Sequence, residues 1–213
     1  MIFDLAIVGG DVALPGRDPE RLSVATANGK VAAILSPAEK VEAKRTIDAT
    51  GLVVLPGVLD VHLHLGHGAD ISRPREAKDA SQETAAAAMG GVTTFIPYLM
   101  ATEPFEDIFE GVRGVTEDGA RIDFGYHFII STEQQLAGVP VYASKYGAPS
   151  FKIFMNNRGG EGKRLGLPDI DDGFLFRLCL LSAENGGMVC PHPENIEVAW
   201  LLQIGRASCR ERV

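Results

Sequence analysis

Apolar residues fall along this chain in two rhythms, and the change comes at Pro56-Gly57. Before it, Val24-Ala25-Thr26-Ala27 and Lys30-Val31-Ala32-Ala33-Ile34-Leu35 flank Asn28-Gly29. Asn-Gly between apolar runs is a strong hairpin signal, so residues 2 to about 56 read as short strands with tight turns. After it, apolar runs near 58–64, 92–97, 123–129, 150–155 and 188–192 read as strands. Helical patterning lies between them: Ser81 to Met89, ending at Gly90-Gly91 as a C-cap, then 104–117 and 171–185, with a further helix opening after Pro193. Strands alternating with helices predict a parallel sheet, closed or open. An eight-stranded barrel needs about 250 residues, whereas roughly 147 separate Pro56 from Gln203.

Chemistry concentrates at the strand ends. Asp60-Val61-His62-Leu63-His64 closes the first apolar run. On a strand, alternate residues share a side, which brings the two imidazoles roughly 6 to 7 Å apart. They are either metal ligands or satisfied polar side chains at a strand end. Phe151-Lys152-Ile153-Phe154-Met155 sets a lysine inside an apolar strand. A buried ammonium is costly and tends to lose its proton, leaving an amine able to take up carbon dioxide as a carbamate; the other reading is an edge-strand lysine reaching to water. Met188-Val189-Cys190-Pro191-His192 ends a later run in histidine, a structural residue or a third metal-binding element. All three groups lie toward the C-terminal ends of separate strands, where barrel enzymes carry their chemistry.

Composition narrows the class. The chain has 213 residues, 46% hydrophobic and 23% charged, with a net charge of -8, and no basic patch suggests nucleic acid. No stretch approaches the roughly 18 apolar residues of a membrane span. Asp4 interrupts any signal-like run, and Cys179, Cys190 and Cys209 lack disulfide spacing, so a cytoplasmic protein without membrane or nucleic-acid partners is expected. Residues Ile204 to Val213 are what ATC GGA AGA GCG TCG TGT AGG GAA AGA GTG encodes, a string that resembles a short-read sequencing adapter. Residues 204–213 are therefore expected to be read-through rather than natural sequence.

Five motifs in order carry a family resemblance: Pro56 to His64; Glu83-Thr84 with Gly90-Gly91-Val92-Thr93-Thr94; Asp123-Phe124-Gly125-Tyr126-His127; Phe151 to Met155; and His192-Pro193-Glu194-Asn195. Residues 4–203 resemble the N-terminal half of a cyclic amidohydrolase of the dihydropyrimidinase and hydantoinase group, within the metal-dependent amidohydrolase superfamily. The resemblance implies an α/β fold, with residues 1–56 forming part of a small β-sandwich domain and residues 57–203 the first five βα units of a TIM-like (β/α)8 barrel, incomplete in this chain. It implies hydrolysis of a C–N bond in a small cyclic amide or imide by two divalent metal ions, zinc by preference. His62 and His64 would bind one ion, Lys152 as a carbamate would bridge both, and His192 would bind the second. The remaining His and Asp ligands would come from later strands.

The resemblance further implies a homo-oligomer, commonly a tetramer. Hydantoinases and dihydropyrimidinases carry a tyrosine five residues after the lysine to assist the oxyanion; Asn157 stands there, a shorter donor that changes the pocket. Dihydroorotases place arginine directly after His-x-His-Leu, where this chain has Gly66. His127 reads as structural, and His67, between two glycines, as a loop residue. The alternatives are a non-catalytic scaffold protein of the same group, or an inactive truncated fragment with an open sheet edge.

Overall fold

The computed structural model describes residues 2–148, 150–159 and 161–202, so the segment read above as adapter sequence lies outside the described residues. The chain divides into two compact units, Met1–Gly57 and Val58–Val213.

The first unit is built from strands alone. β1 (Phe3–Val8), β4 (Ser23–Ala27), β5 (Lys30–Leu35) and β6 (Ala43–Asp48) form a sheet in the order β5-β4-β1-β6. β2 (Asp11–Val12), β3 (Glu20–Arg21) and β7 (Val53–Val54) form a smaller one in the order β3-β2-β7. The β4–β5 hairpin turns where its sequence predicts, with Asn28 at φ 53° and Gly29 at φ 72°. Two consecutive left-handed residues give the turn whose twist suits a two-residue hairpin. The buried apolar side chains of this unit are small, chiefly Ala6, Val12, Ala25 and Ala49.

The second unit alternates strand and helix: β8 (Val58–Leu63), α1 (Ala77–Met89), β9 (Val92–Leu99), α2 (Phe105–Gly119), β10 (Asp123–Phe124), β11 (His127–Ile129), α3 (Glu133–Lys145), β12 (Ser150–Phe154), α4 (Asp172–Glu184) and β13 (Met188–His192). β9 pairs in parallel with β8 on one side and with β10 and β11 on the other; β11 pairs with β12, and β12 with β13. The result is a mixed α/β unit with a half-barrel parallel sheet. Each apolar run expected to be a strand is one, the third interrupted at Gly125-Tyr126.

The helices depart from their patterns in two places. α1 begins at Ala77, four residues before the expected Ser81, because Asp79 accepts the backbone N–H groups of Arg75 (2.8 Å) and Glu76 (2.9 Å) and so satisfies the first turn. α3 has no clear apolar period in the sequence, since Gly138 and Pro140 interrupt it. A capping box sets its start, Thr132 accepting from the Gln135 N–H at 3.2 Å. α1 and α2 approach so closely at Gly119 that a Cβ there would overlap the Ala77 carbonyl.

Strand pleating divides the sheet's two faces. On β12, Phe151 and Ile153 face the helices and join Phe105, Phe109, Phe128, Leu136, Val139, Tyr142 and Leu178 in the main core. Phe154, of opposite parity, joins Tyr98, Met100, Ile129 and Leu167 on the inner face. The residue between Phe151 and Ile153 is Lys152, so the pleat turns it inward.

Candidate metal centre

Lys152 is 3% exposed, and its Nζ lies 4.3 Å from the centre of the Tyr98 ring and 5.3 Å from that of Phe154. Burial pulls its pKa below the ordinary lysine value. This agrees with the buried reading of the sequence rather than the water-seeking one. His62 and His64 reach the same ring from β8 and the residue just past it: His62 meets it edge-on at 5.0 Å, and His64 lies tilted over it at 5.6 Å. The Asp60 carboxylate accepts the His62 backbone N–H at 3.1 Å.

His64 is drawn toward its neutral form, first by burial, then by the charges of Lys152 and His62. Its Nδ1 is buried and has no hydrogen-bond partner among the described residues. A buried amine and an imidazole both pushed toward neutrality form a donor set with free lone pairs. A metal ion and carbon dioxide both require that state of these side chains, so the residues present fit the groups the resemblance implies. Among the described residues no cluster of three or more His, Cys, Asp or Glu comes together; the set consists of two histidines and a lysine, which offers no anion until the amine is converted.

His192 extends the inner face by one strand. Cys190 is the direct register partner of Lys152, and His192 the partner of Phe154, whose ring lies 5.7 Å from the imidazole. The nearest acid is Glu194, at 3.6 Å from His192 Nε2, and Asn156 donates to the same carboxylate at 2.9 Å. His192 thus shares the face of the other three without touching them.

Asn157 is buried in the loop after β12, anchored by its backbone: its N–H donates to Phe154 O at 3.2 Å and its carbonyl accepts from Ile170 at 2.8 Å. Its side-chain Nδ2 has no acceptor among the described residues. His127 stacks on Tyr98 with centroids 4.7 Å apart and contacts the Ser150 hydroxyl through Nδ1. His67 pairs with Asp79 at 3.0 Å, tying the loop after β8 to the start of α1. That loop, with Met100 to Glu103 and Leu165 to Leu167, surrounds a cavity of about 410 Å³.

Tyr98 escaped the reading of the sequence. It looks there like one more apolar strand residue, and the parallel pairing of β9 with β11 and β11 with β12 is what carries its ring across to the lysine. A large aromatic with a polar tip near the end of a strand already flanked by histidine-bearing runs was the available signal.

The fold of the chain is similar to that of solved hydantoinases. The chain superposes on L-hydantoinase (dihydropyrimidinase) from Arthrobacter aurescens with a TM-score of 0.77 at 26% identity, covering 98% of this chain and 44% of that one. A D-hydantoinase structure gives 0.76 at 28%, covering 96% and 43%. In sequence, the chain is 33% identical over 177 residues to a D-hydantoinase from Geobacillus stearothermophilus, covering 80% of this chain and 35% of that protein. It is 32% identical over 205 residues to an allantoinase from Salmonella choleraesuis (strain SC-B67), covering 92% and 42%. No family profile matches the chain.

The chain is thus similar, in sequence and in fold, to cyclic amidohydrolases named hydantoinase, dihydropyrimidinase and allantoinase, and it spans about two-fifths of the length of the curated relatives it matches.

Proposed function

We propose that the whole protein hydrolyses the C–N bond of a small cyclic amide or imide, and that this segment supplies the first ligands of a two-metal centre: His62, His64, Lys152 and His192. We further propose that residues 1–56 are part of a small β domain and residues 57–203 the first five βα units of a complete barrel. The observation that carries the reading is Lys152, an amine buried on the inner face against the Tyr98 ring that His62 and His64 also meet, with no carboxylate ion pair among the described residues.

When bound, the two divalent cations, zinc by preference, supply a Lewis acid for the scissile carbonyl and a water acidic enough to attack at neutral pH. The chain's part is to prepare that place. The neutral Lys152 amine would form a bond to the carbon of carbon dioxide and release one proton, giving a buried anion with two oxygens; starting from the ammonium, two protons leave. That removes the electrostatic conflict with His64 and provides the anion the set lacks. The Asn157 amide N–H, buried without an acceptor among the described residues, can donate to the carbonyl oxygen that gains charge as water adds to it, before the ring opens, and such a donor is worth about 10² to 10³ in rate. The cavity beside the loop after β8 gives room for the substituent of a small ring.

The test is ring opening of hydantoin, dihydrouracil and allantoin by the complete protein loaded with zinc and bicarbonate, followed by the appearance of the ureido product. Lys152→Ala is expected to lower turnover by at least about 10³-fold and to reduce bound metal. A metal-stripped protein that turns over at the full rate would overthrow the proposal.

A further inference from the structure

We infer that Tyr98 is the positioning residue of this centre, its ring a common platform on which His62, His64 and Lys152 take their places; the inference rests on the metal-dependent reading above. One side chain touches all three: His62 at 5.0 Å with planes at 79°, His64 at 5.6 Å with planes at 40°, and Lys152 Nζ at 4.3 Å. His127 stacks on it at 4.7 Å and 27°, backing the ring.

The ring cannot swing aside. It is 5% exposed and packed with Met100, Ile129 and Leu167. A phenol ring has two torsions, and a packed one has lost the freedom of both, so it is a rigid reference for softer neighbours. Lys152 has four torsions, and contact with the faces of Tyr98 and Phe154 sets where its amine lies. The imidazoles need the same help, because the direction of a ring lone pair follows the ring plane, and contact with a fixed surface sets that plane.

Three donors resting on one ring should be lost together. If Tyr98 only fills space, leucine would serve nearly as well as phenylalanine. If it is the platform, the aromatic face is indispensable while the hydroxyl is not.

The experiment compares zinc binding by the complete wild-type protein, Tyr98→Phe and Tyr98→Leu after dialysis against zinc and bicarbonate, with thermal melting of each metal-free form. Tyr98→Phe is expected to load like the wild type, and Tyr98→Leu to bind zinc at least tenfold more weakly while still melting cooperatively. Equal zinc affinity for Tyr98→Leu and wild type overturns the inference and leaves the hydrolase reading intact. A wild type that takes up no zinc overturns that reading and the inference with it.

Should Tyr98→Leu fail to fold, Tyr98→Met, a flexible apolar side chain with no ring face, takes its place and is expected to bind zinc at least tenfold more weakly than Tyr98→Phe. Equal zinc affinity of these two overturns the inference.

Discussion

The two faces of the parallel sheet follow opposite rules. On the helix side, buried polar groups are paired in the main, the Ser182 hydroxyl of α4 being left without a partner among the described residues. Gln135, fully buried, accepts from the Ser131 N–H at 2.9 Å and donates to the carbonyls of Ala101 at 2.8 Å and Glu103 at 2.9 Å. The Tyr142 hydroxyl donates to Glu106 at 2.8 Å, and that of Tyr126 meets Thr116. On the inner face, His64 Nδ1 and His127 Nε2 have no partner among the described residues, and Lys152 lies against aromatic rings and beside Cys190. Unpaired buried polar groups cost free energy that packing elsewhere must offset. The outer face holds the fold; the inner face holds groups kept ready for something else.

Mutations at matched positions should separate these roles, the largest effect falling on the outer face. Phe128, fully buried and stacked on Phe105 at 4.6 Å, is the centre of the aromatic cluster. Phe128→Ala should destabilise by about 3 to 5 kcal/mol, read as a lower midpoint in urea with the slope unchanged. Its inner-face counterpart should behave in reverse. Lys152→Met removes a buried cation and keeps the apolar stem, so the metal-free protein should be as stable as wild type or more so by ~1 kcal/mol, while zinc uptake is lost. A metal-free Lys152→Met protein that melts well below wild type would show that Lys152 belongs to the fold instead.

The smallest expected effect lies on the rim. Hydrogen bonds from Ser72, then the Arg75 guanidinium, hold the Asp70 carboxyl down at about 2. Because the folded pKa lies below the unfolded one, Asp70 contributes its stabilisation fully above about pH 4 and loses it as pH falls toward 2. The group is half exposed, so the effect is slight. Asp70→Asn should flatten that part of the acid-stability profile; an unchanged profile would remove Asp70 from the account.

The strands and three of the four numbered helices were legible in the sequence because each depends on local pattern: apolar runs, Gly90-Gly91, and the spacing in α2 and α4. α3 was not. It is held by Gln135 and Tyr142, whose partners Ala101, Glu103 and Glu106 lie more than thirty residues away. The same holds for the candidate site. His62, His64 and Lys152 stand out as residue types in apolar runs, and the structure brings them onto one ring; Tyr98 has meaning only once strands distant in sequence are paired.

One carboxylate has a consequence for how such a protein can change. Asp79 accepts the N–H groups of Arg75 and Glu76 and grips His67, so it pins both ends of the segment between His67 and Arg75. Within those pins, Ile71, Ser72 and Arg73 line the cavity, while His62 and His64 lie outside them. The segment is a replaceable part. Its side chains can be rewritten to admit a different ring, provided that the aspartate stays and that the backbone at Ile71, which bonds His64, keeps its path.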